Sequence, residues 1–241
     1  MKQTVEKIPN FEFTEMVDGE WKKISTDSIF KGRRVAVFSL PGAFTPTCTT
    51  SHLPRYDELY PELIKAGLDD VYCLSVNDTF VMKSWFKDLG IKNVNYLSDG
   101  TGKFTEGLGM LVNKDDLGFG MRSWRYSMII NDGKIEKMFI EPDKPGDPFE
   151  VSDADTLLNY VNPEAEKPQS HVLITRSGCP FCSQAKAFLD ERNINYHSIT
   201  KDDHGVNAVV LRGITGNSTY PQLIIEGNVI GGLDNIVEYF K

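Results

Sequence analysis

Asn162-Pro163-Glu164-Ala165-Glu166-Lys167-Pro168-Gln169-Ser170 holds two prolines and no large apolar side chain. Each proline lacks a backbone donor and restricts the residue before it, so the stretch resists helix and sheet alike and reads as a linker. One continuous core is therefore excluded. The 241 residues divide into a unit over 1–161, a short polar linker over 162–170 and a unit over 171–241.

The first unit alternates strand and helix signals. Runs 11–16 and 21–24 flank Asp18-Gly19, a hairpin signal. The apolar run 35–40 ends at Pro41-Gly42 and predicts a buried strand. Residues 47–66 predict a helix kinked where Pro54 removes a donor. A second buried strand is predicted over 71–76, and an amphipathic helix over 80–89 that stops at Gly90. Runs 126–130 and 135–140, joined by Asn131-Asp132-Gly133, predict another hairpin, and 152–160 a closing helix. The second unit predicts a strand at 171–175, a helix at 180–192, a strand at 196–199 and a helix at 205–211. A hairpin over 223–230 and a helix over 233–240 complete it. These orders imply an α/β class, with a mixed sheet covered by helices in each unit.

The chain carries 26 basic and 34 acidic residues, a formal charge of −8. Scattered acidic charge argues against nucleic acid and against an anionic membrane surface as partners. No apolar run reaches the roughly 18 residues of a membrane span, and the first residues lack the apolar core of a secretory signal. Four cysteines are too few for a disulfide scaffold, so a cytoplasmic protein is expected. Asn77-Asp78-Thr79 and Asn217-Ser218-Thr219 fit glycosylation acceptors, but without a secretory signal they read as chance. Gly107-Leu108-Gly109 lacks the third glycine of a phosphate loop.

Cys179-Pro180-Phe181-Cys182 follows a predicted strand and opens a predicted helix. Unpaired N–H groups and the positive end of the helix dipole favour a thiolate at Cys179. Pro180 suits the first turn, where its missing donor costs nothing. Cys182 lies about one turn on and can close a small disulfide. Half a zinc site is the competing reading, but its second half is absent, because the other cysteines stand alone at 48 and 73. Cys48 also falls where a strand gives way to a helix, with His52 four residues later on the same face. A reactive thiolate, a buried packing cysteine and a Cys–His acyl-transfer pair all fit that pattern. Cys73 lies in a strand expected to be buried on both faces and reads as structural rather than resolving.

Thr175-Arg176-Ser177-Gly178-Cys179-Pro180-Phe181-Cys182, Thr219-Tyr220-Pro221 and Gly231-Gly232-Leu233-Asp234, in that order, closely resemble glutaredoxins from about residue 171 onward. The resemblance implies that Cys179 is the nucleophile with Cys182 as its dithiol partner, and that Pro221 is cis. It also implies that the Tyr220 backbone pairs with the backbone of glutathione. Arg176 and Gln184 would meet the glutathione carboxylates, and Gly232, Leu233 and Asp234 its γ-glutamyl end. Asp234 is equally a candidate helix N-cap, and Arg176 a candidate surface charge.

Pro41 to Cys48 resembles the peroxidatic Pro-x-x-x-Thr-x-x-Cys motif of peroxiredoxins. Ser75-Val76-Asn77-Asp78, Phe80-Val81-Met82-Lys83-Ser84-Trp85 and Arg125-Tyr126-Ser127-Met128 narrow the resemblance to the type V (plant type II) group, over nearly all of 1–161. Both units would then be thioredoxin-like. The resemblance implies that Cys48 attacks the peroxide and that Arg125 approaches its sulfur, with Arg122 a partner or surface charge. Arg125, the Thr45 hydroxyl and the Cys48 backbone N–H would stabilise charge on the departing oxygen. Pro41 would shield the sulfur from water. His52 would tune the field or simply pack.

Residues 141–150 contain no cysteine, so the first unit resembles a one-cysteine peroxidase that needs an external thiol. The fused unit suggests the supply: glutathione as reducing co-substrate, relayed through Cys179, with no bound cofactor and no metal. Tethering raises the effective concentration if the linker reaches, within one subunit or between neighbours of the homo-oligomer that the resemblance implies. Two readings from other classes stand beside this one. The first is a peroxide sensor, redox relay or holdase; the second is an iron–sulfur-binding glutaredoxin fusion, against which Pro180 and Phe181 argue.

Overall fold

The computed structural model describes residues 5–17, 19–165, 167, 171–192, 194, 196–201 and 206–241. Asp18 of the first predicted turn and much of the predicted linker lie outside the described residues. The chain forms two compact units, Met1–Lys167 and Pro168–Lys241, so the division falls inside 162–170.

In the first unit the elements run β1 Glu12–Val17, β2 Glu20–Ser25, α1 Thr26–Phe30 and β3 Arg34–Leu40. A π-helical turn Cys48–His52 leads into α2 Leu53–Lys65, followed by β4 Asp70–Ser75, α3 Thr79–Asp88, β5 Asn95–Ser98 and α4 Lys103–Gly107. Then come β6 Leu111–Asn113, β7 Met121–Ser123, β8 Tyr126–Asn131, β9 Lys134–Ile140 and α5 Ala154–Val161. The second unit runs β10 His171–Thr175, α6 Pro180–Glu191, β11 His197–Thr200, α7 Ala208–Thr215, β12 Gln222–Ile225, β13 Asn228–Gly231 and α8 Leu233–Tyr239.

Beside the two-stranded sheets β1-β2 and β6-β7, the main sheets of the two units share one plan. In the first, the order is β5-β4-β3-β8-β9, with β3 parallel to β4 and antiparallel to β8. In the second, the order is β11-β10-β12-β13, with β10 parallel to β11 and antiparallel to β12. A β-α-β crossover feeds a hairpin in each case, so the strand that leads into the helix is flanked on both edges. For β3 this explains why Val35 to Leu40 are all buried although they do not alternate. Helix α2 lays Leu53, Tyr56, Leu59 and Leu63 on the sheet, and Tyr56 stacks on Phe38 with ring centroids 3.9 Å apart. Burying each such side chain contributes roughly 1.5–3 kcal/mol.

The structure revises the predicted helix over 47–66. Residues Cys48–His52 form a π turn in which the Leu53 N–H reaches back to the Cys48 carbonyl, and α2 begins only afterwards. Pro54 stands in the first turn of α2, where its missing donor is harmless, so it marks a junction rather than a kink. Of the predicted helix over 205–211, Gly205 lies outside the described residues; α7 starts at Ala208, where Asn207 caps the N–H groups of Val209 and Val210, and runs on to Thr215. The elements β5, β6, β7, α1 and α4 span only three to five residues each, too short for the sequence pattern to announce. Among the described residues, no helix is long and apolar enough to cross a membrane.

Candidate functional site

The same junction recurs in both units: a buried strand ends, a loop bends, and a cysteine stands where the next helix starts. After β3, Pro41 and Gly42 are buried and Phe44 takes φ 62°. The loop is held by Asn77, whose Oδ1 accepts the Ala43 N–H at 3.0 Å and the Ser75 hydroxyl at 2.7 Å. The Thr45 hydroxyl donates to the Gly42 carbonyl at 2.9 Å, so toward a substrate it offers lone pairs rather than its proton. The Thr45 carbonyl takes the Thr49 N–H at 3.0 Å, and Trp85 Nε1 donates to the Thr49 hydroxyl at 3.1 Å. Cys48 is fully buried in the core cluster shared by β3, α2 and β4.

His52, four residues on, is fully buried among Phe38, Tyr56 and Phe149. Burial first, and then the Arg125 charge, hold its pKa well below the usual histidine value, against the bond to Ser152. Its Nδ1 lies 2.9 Å from Arg125 Nη1 and its Nε2 lies 3.2 Å from the Ser152 carbonyl. A guanidinium can only donate, so Nδ1 is the acceptor and the proton sits on Nε2. Arg125 is 1% exposed, and its Nε and Nη2 both donate to the Asp147 carboxylate. Cys73 pairs with Phe38 across β3 and β4. Burial pushes its thiol far up and the Cys48 charge adds to this, while Arg125 opposes both, so these three groups share one electrostatic neighbourhood. Arg122 donates from Nη1 to the Val76 carbonyl at 3.1 Å.

In the second unit Cys179 is the N-cap of α6, and its sulfur accepts the Cys182 N–H at 3.3 Å. Burial pushes the Cys179 thiol up, but the Cys182 thiol, the Cys182 N–H and Arg176 outweigh it, and the net direction is down. Cys182 moves the other way, pushed up to about 11 by burial and by its bond to Cys179. The Tyr220 carbonyl lies 3.8 Å from the Cys179 sulfur, and the Tyr220–Pro221 peptide is cis. Gln184, Leu233 and Asp234 share one cavity of about 500 Å³ with Phe188 and Val237. Gly232, not Asp234, is the N-cap of α8; Asp234 stands exposed in the first turn. Its side chain is thus available to a ligand instead of closing the helix.

The sequence pattern missed a group of residues that surround Arg125. Glu141 is 2% exposed and accepts the N–H groups of Glu150, Val151 and Ser152 and the Ser152 hydroxyl. It thereby ties down residues 141–152, which carry Asp147, Phe149 and the Ser152 carbonyl. In the sequence this segment shows only a proline- and glycine-rich run without cysteine. Among the described residues, no cluster of three or more histidine, cysteine or carboxylate side chains could hold a metal ion.

Comparison with known proteins matches residues 3–158 to the redoxin family model and residues 172–230 to the glutaredoxin model. The hybrid peroxiredoxin hyPrx5 of Haemophilus influenzae is 49% identical over 97% of both chains. A peroxiredoxin of Synechocystis is 54% identical over 68% of this chain and 94% of its own. Among solved structures, a Plasmodium falciparum antioxidant protein described as a 1-Cys peroxiredoxin is 36% identical with a TM-score of 0.63, covering 67% of this chain and 99% of that one. Reduced Prx3 of Vibrio vulnificus in complex with hydrogen peroxide is 35% identical with a TM-score of 0.62, over 67% and 99%.

Proposed function

From a chain that belongs to the redoxin family, a peroxiredoxin continued by a glutaredoxin domain, we propose a thiol peroxidase that reduces hydrogen peroxide and alkyl hydroperoxides with electrons from glutathione relayed through Cys179. The Cys48 thiolate attacks the terminal oxygen of the peroxide. The O–O bond breaks, the departing oxygen leaves as water or an alcohol after taking a proton, and Cys48 becomes a sulfenic acid. Arg125 and the Cys48 backbone N–H would stabilise the negative charge that develops on that oxygen, and Thr45 Oγ1, its own proton given to the Gly42 carbonyl, would accept from the peroxide O–H. Pro41, buried beside the loop, keeps bulk water from the sulfur.

Glutathione condenses with the sulfenic acid and releases water, leaving a mixed disulfide at Cys48. The Cys179 thiolate attacks the glutathione sulfur, frees Cys48 and becomes glutathionylated. A second glutathione then attacks the bound glutathione sulfur, so Cys179 leaves as the thiolate and oxidised glutathione is released. The observation that supports this relay is the place of Cys179 as the N-cap of α6, its sulfur accepting the Cys182 N–H at 3.3 Å, which holds the Cys179 thiol down while Cys182 is pushed up to about 11. At neutral pH one is disposed to attack while the other keeps its proton, the arrangement a monothiol exchange needs. Arg176, Gln184, Tyr220, Pro221, Gly232, Leu233 and Asp234 would seat the tripeptide beside that sulfur. A compartment that keeps glutathione reduced, the cytoplasm, suits the cycle. Cys179 serves either its own Cys48 or that of a neighbour in a homo-oligomer.

The test is turnover with peroxide, glutathione, glutathione reductase and NADPH, with no glutaredoxin added. Cys48→Ser is expected to lose all peroxide consumption. Cys179→Ser is expected to keep one stoichiometric reaction and lose glutathione-supported turnover, and Cys182→Ser to be mild. Full turnover by Cys179→Ser removes the relay.

A further inference from the structure

Asp147 meets Arg125 as a fork meets a fork. Oδ1 accepts Nε–H at 3.2 Å and Oδ2 accepts from Nη2, while Nη1 donates to His52 at 2.9 Å. A guanidinium is a rigid plane with five N–H donors. A bidentate carboxylate on one edge and an imidazole on Nη1 therefore fix both its position and its tilt. One N–H on Nη1 and one on Nη2 remain for another oxygen. Rotation about the Arg125 side chain would break all of these bonds together.

The segment that presents Asp147 is itself anchored at several points. The Glu141 carboxylate gathers the N–H groups of Glu150, Val151 and Ser152. The Glu141 carbonyl accepts Trp124 Nε1–H at 2.9 Å. Lys114, 5% exposed and lying over the Trp124 ring, donates to the Gly146 carbonyl at 2.6 Å. The Asp147 side chain is 24% exposed against 1% for Arg125, so the acid stands at the rim and the cation inside. An acid that served only to neutralise Arg125 would not need two-point geometry or a strap tied down on either side of it.

We infer that Asp147 is a positioning residue of the peroxidatic centre, setting the Arg125 guanidinium so that its free N–H groups face the peroxide oxygen that departs when Cys48 attacks. This rests on the peroxidase reading above and adds a residue that acts through Arg125 without touching the peroxide. Held in place beforehand, the donors need no reorganisation as charge develops.

The experiment measures the second-order rate constant for oxidation of the reduced full-length chain by hydrogen peroxide in stopped flow. Asp147→Asn keeps the shape and loses the charge, and is expected to lower the constant about tenfold or more, as small misplacements of catalytic groups do. Asp147→Glu is expected to recover part of that loss. In an Arg125→Met background Asp147→Asn is expected to change nothing further, because the group it acts through is gone. Three results overturn the inference. One is Asp147→Asn within twofold of the parent; another is Asp147→Glu no better than Asp147→Asn. The third is an equal loss with and without Arg125, which marks a merely structural strap. If Asp147→Asn fails to fold, Asp147→Ala enters the same cycle with the same criteria. Cys48→Ser is run in parallel. Peroxide consumption that survives in it defeats the peroxidase reading itself, whereas a silent Asp147→Asn beside an inactive Cys48→Ser defeats only the role of Asp147.

Discussion

His52 Nδ1 accepts a hydrogen bond from Arg125 Nη1 over 2.9 Å, and this one contact fixes the imidazole as neutral, with its proton on Nε2. A second proton on the ring would aim two donors at each other across the bond. The ring packs between Phe38 and Phe149 and accepts one N–H of the Arg125 guanidinium.

A pH dependence follows from that neutrality. The usual histidine value is 6.5, and in the folded chain His52 lies well below it. Below pH 6.5 the unfolded chain takes up a proton that the folded chain refuses, so stability falls as pH drops, by at most about 1.4 kcal/mol per pH unit from this group. The slope fades above pH 7 and is gone by about pH 8. Trp21, Trp85 and Trp124 all lie in the first unit, so tryptophan fluorescence follows its unfolding alone. Urea midpoints for His52→Asn are expected to fall less between pH 7 and pH 5 than those of the parent; parallel curves would contradict a neutral buried ring.

The two thiols of the second unit are expected to separate in labelling. With Cys179 shifted down and Cys182 pushed up to about 11, iodoacetamide at pH 7 meets mainly the Cys179 thiolate. Mass spectrometry of peptides after short exposure is expected to find Cys179 modified at least tenfold faster. Equal labelling would remove the electrostatic asymmetry on which the relay depends. Arg176→Gln is expected to narrow the difference, since its charge is one of the groups that lower Cys179.

Much of this was legible from local chemistry. Pro41-Gly42 at the end of an apolar run, and Pro180 just after Cys179, each announce a strand giving way to a helix, and that places both cysteines. Parallel burial made β3 and β4 stand out as unbroken apolar runs. What escaped was either too short or too distant. The four residues of β5 offer no period to count. The Arg125–Asp147 pair spans 22 positions, and the Glu141 contacts reach 9 to 11 positions ahead within an irregular loop, where no side-chain spacing repeats. The π turn is a backbone choice made one residue at a time, so the sequence pattern points to a single helix kinked at Pro54 rather than to a π turn that ends before it.

Glu141→Gln tests how firmly the strap must be held. Oε1 accepts the Val151 and Ser152 N–H groups and the Ser152 hydroxyl, and Oε2 accepts the Glu150 N–H at 2.8 Å. Glutamine must turn its amide NH₂ toward one of these donor sets, so at least one buried N–H faces another donor. Losing a charge-assisted bond and stranding its donor costs about 2–3 kcal/mol. The first unit is expected to unfold at correspondingly lower urea, and peroxide oxidation of Cys48 to slow because Asp147 is less well presented. Unchanged stability would mean that residues 141–152 are held by other contacts.

Gly231 offers the sharpest separation of the two units. It ends β13 at φ +121°, a conformation that side-chain-bearing residues avoid, and a Cβ there would lie 2.6 Å from Asn235 Oδ1. Asn235 can swing aside, but the backbone strain stays, so Gly231→Ala is expected to cost about 1–3 kcal/mol in the second unit. The next residues are Gly232, Leu233 and Asp234, where α8 opens beside the cavity that holds Gln184. Displacing them should raise the KM for glutathione several-fold while the stopped-flow oxidation of Cys48 by peroxide keeps its parental rate. If both rates fell together, peroxide chemistry would depend on the second unit's fold, and the division of labour between the two cysteines would have to be redrawn.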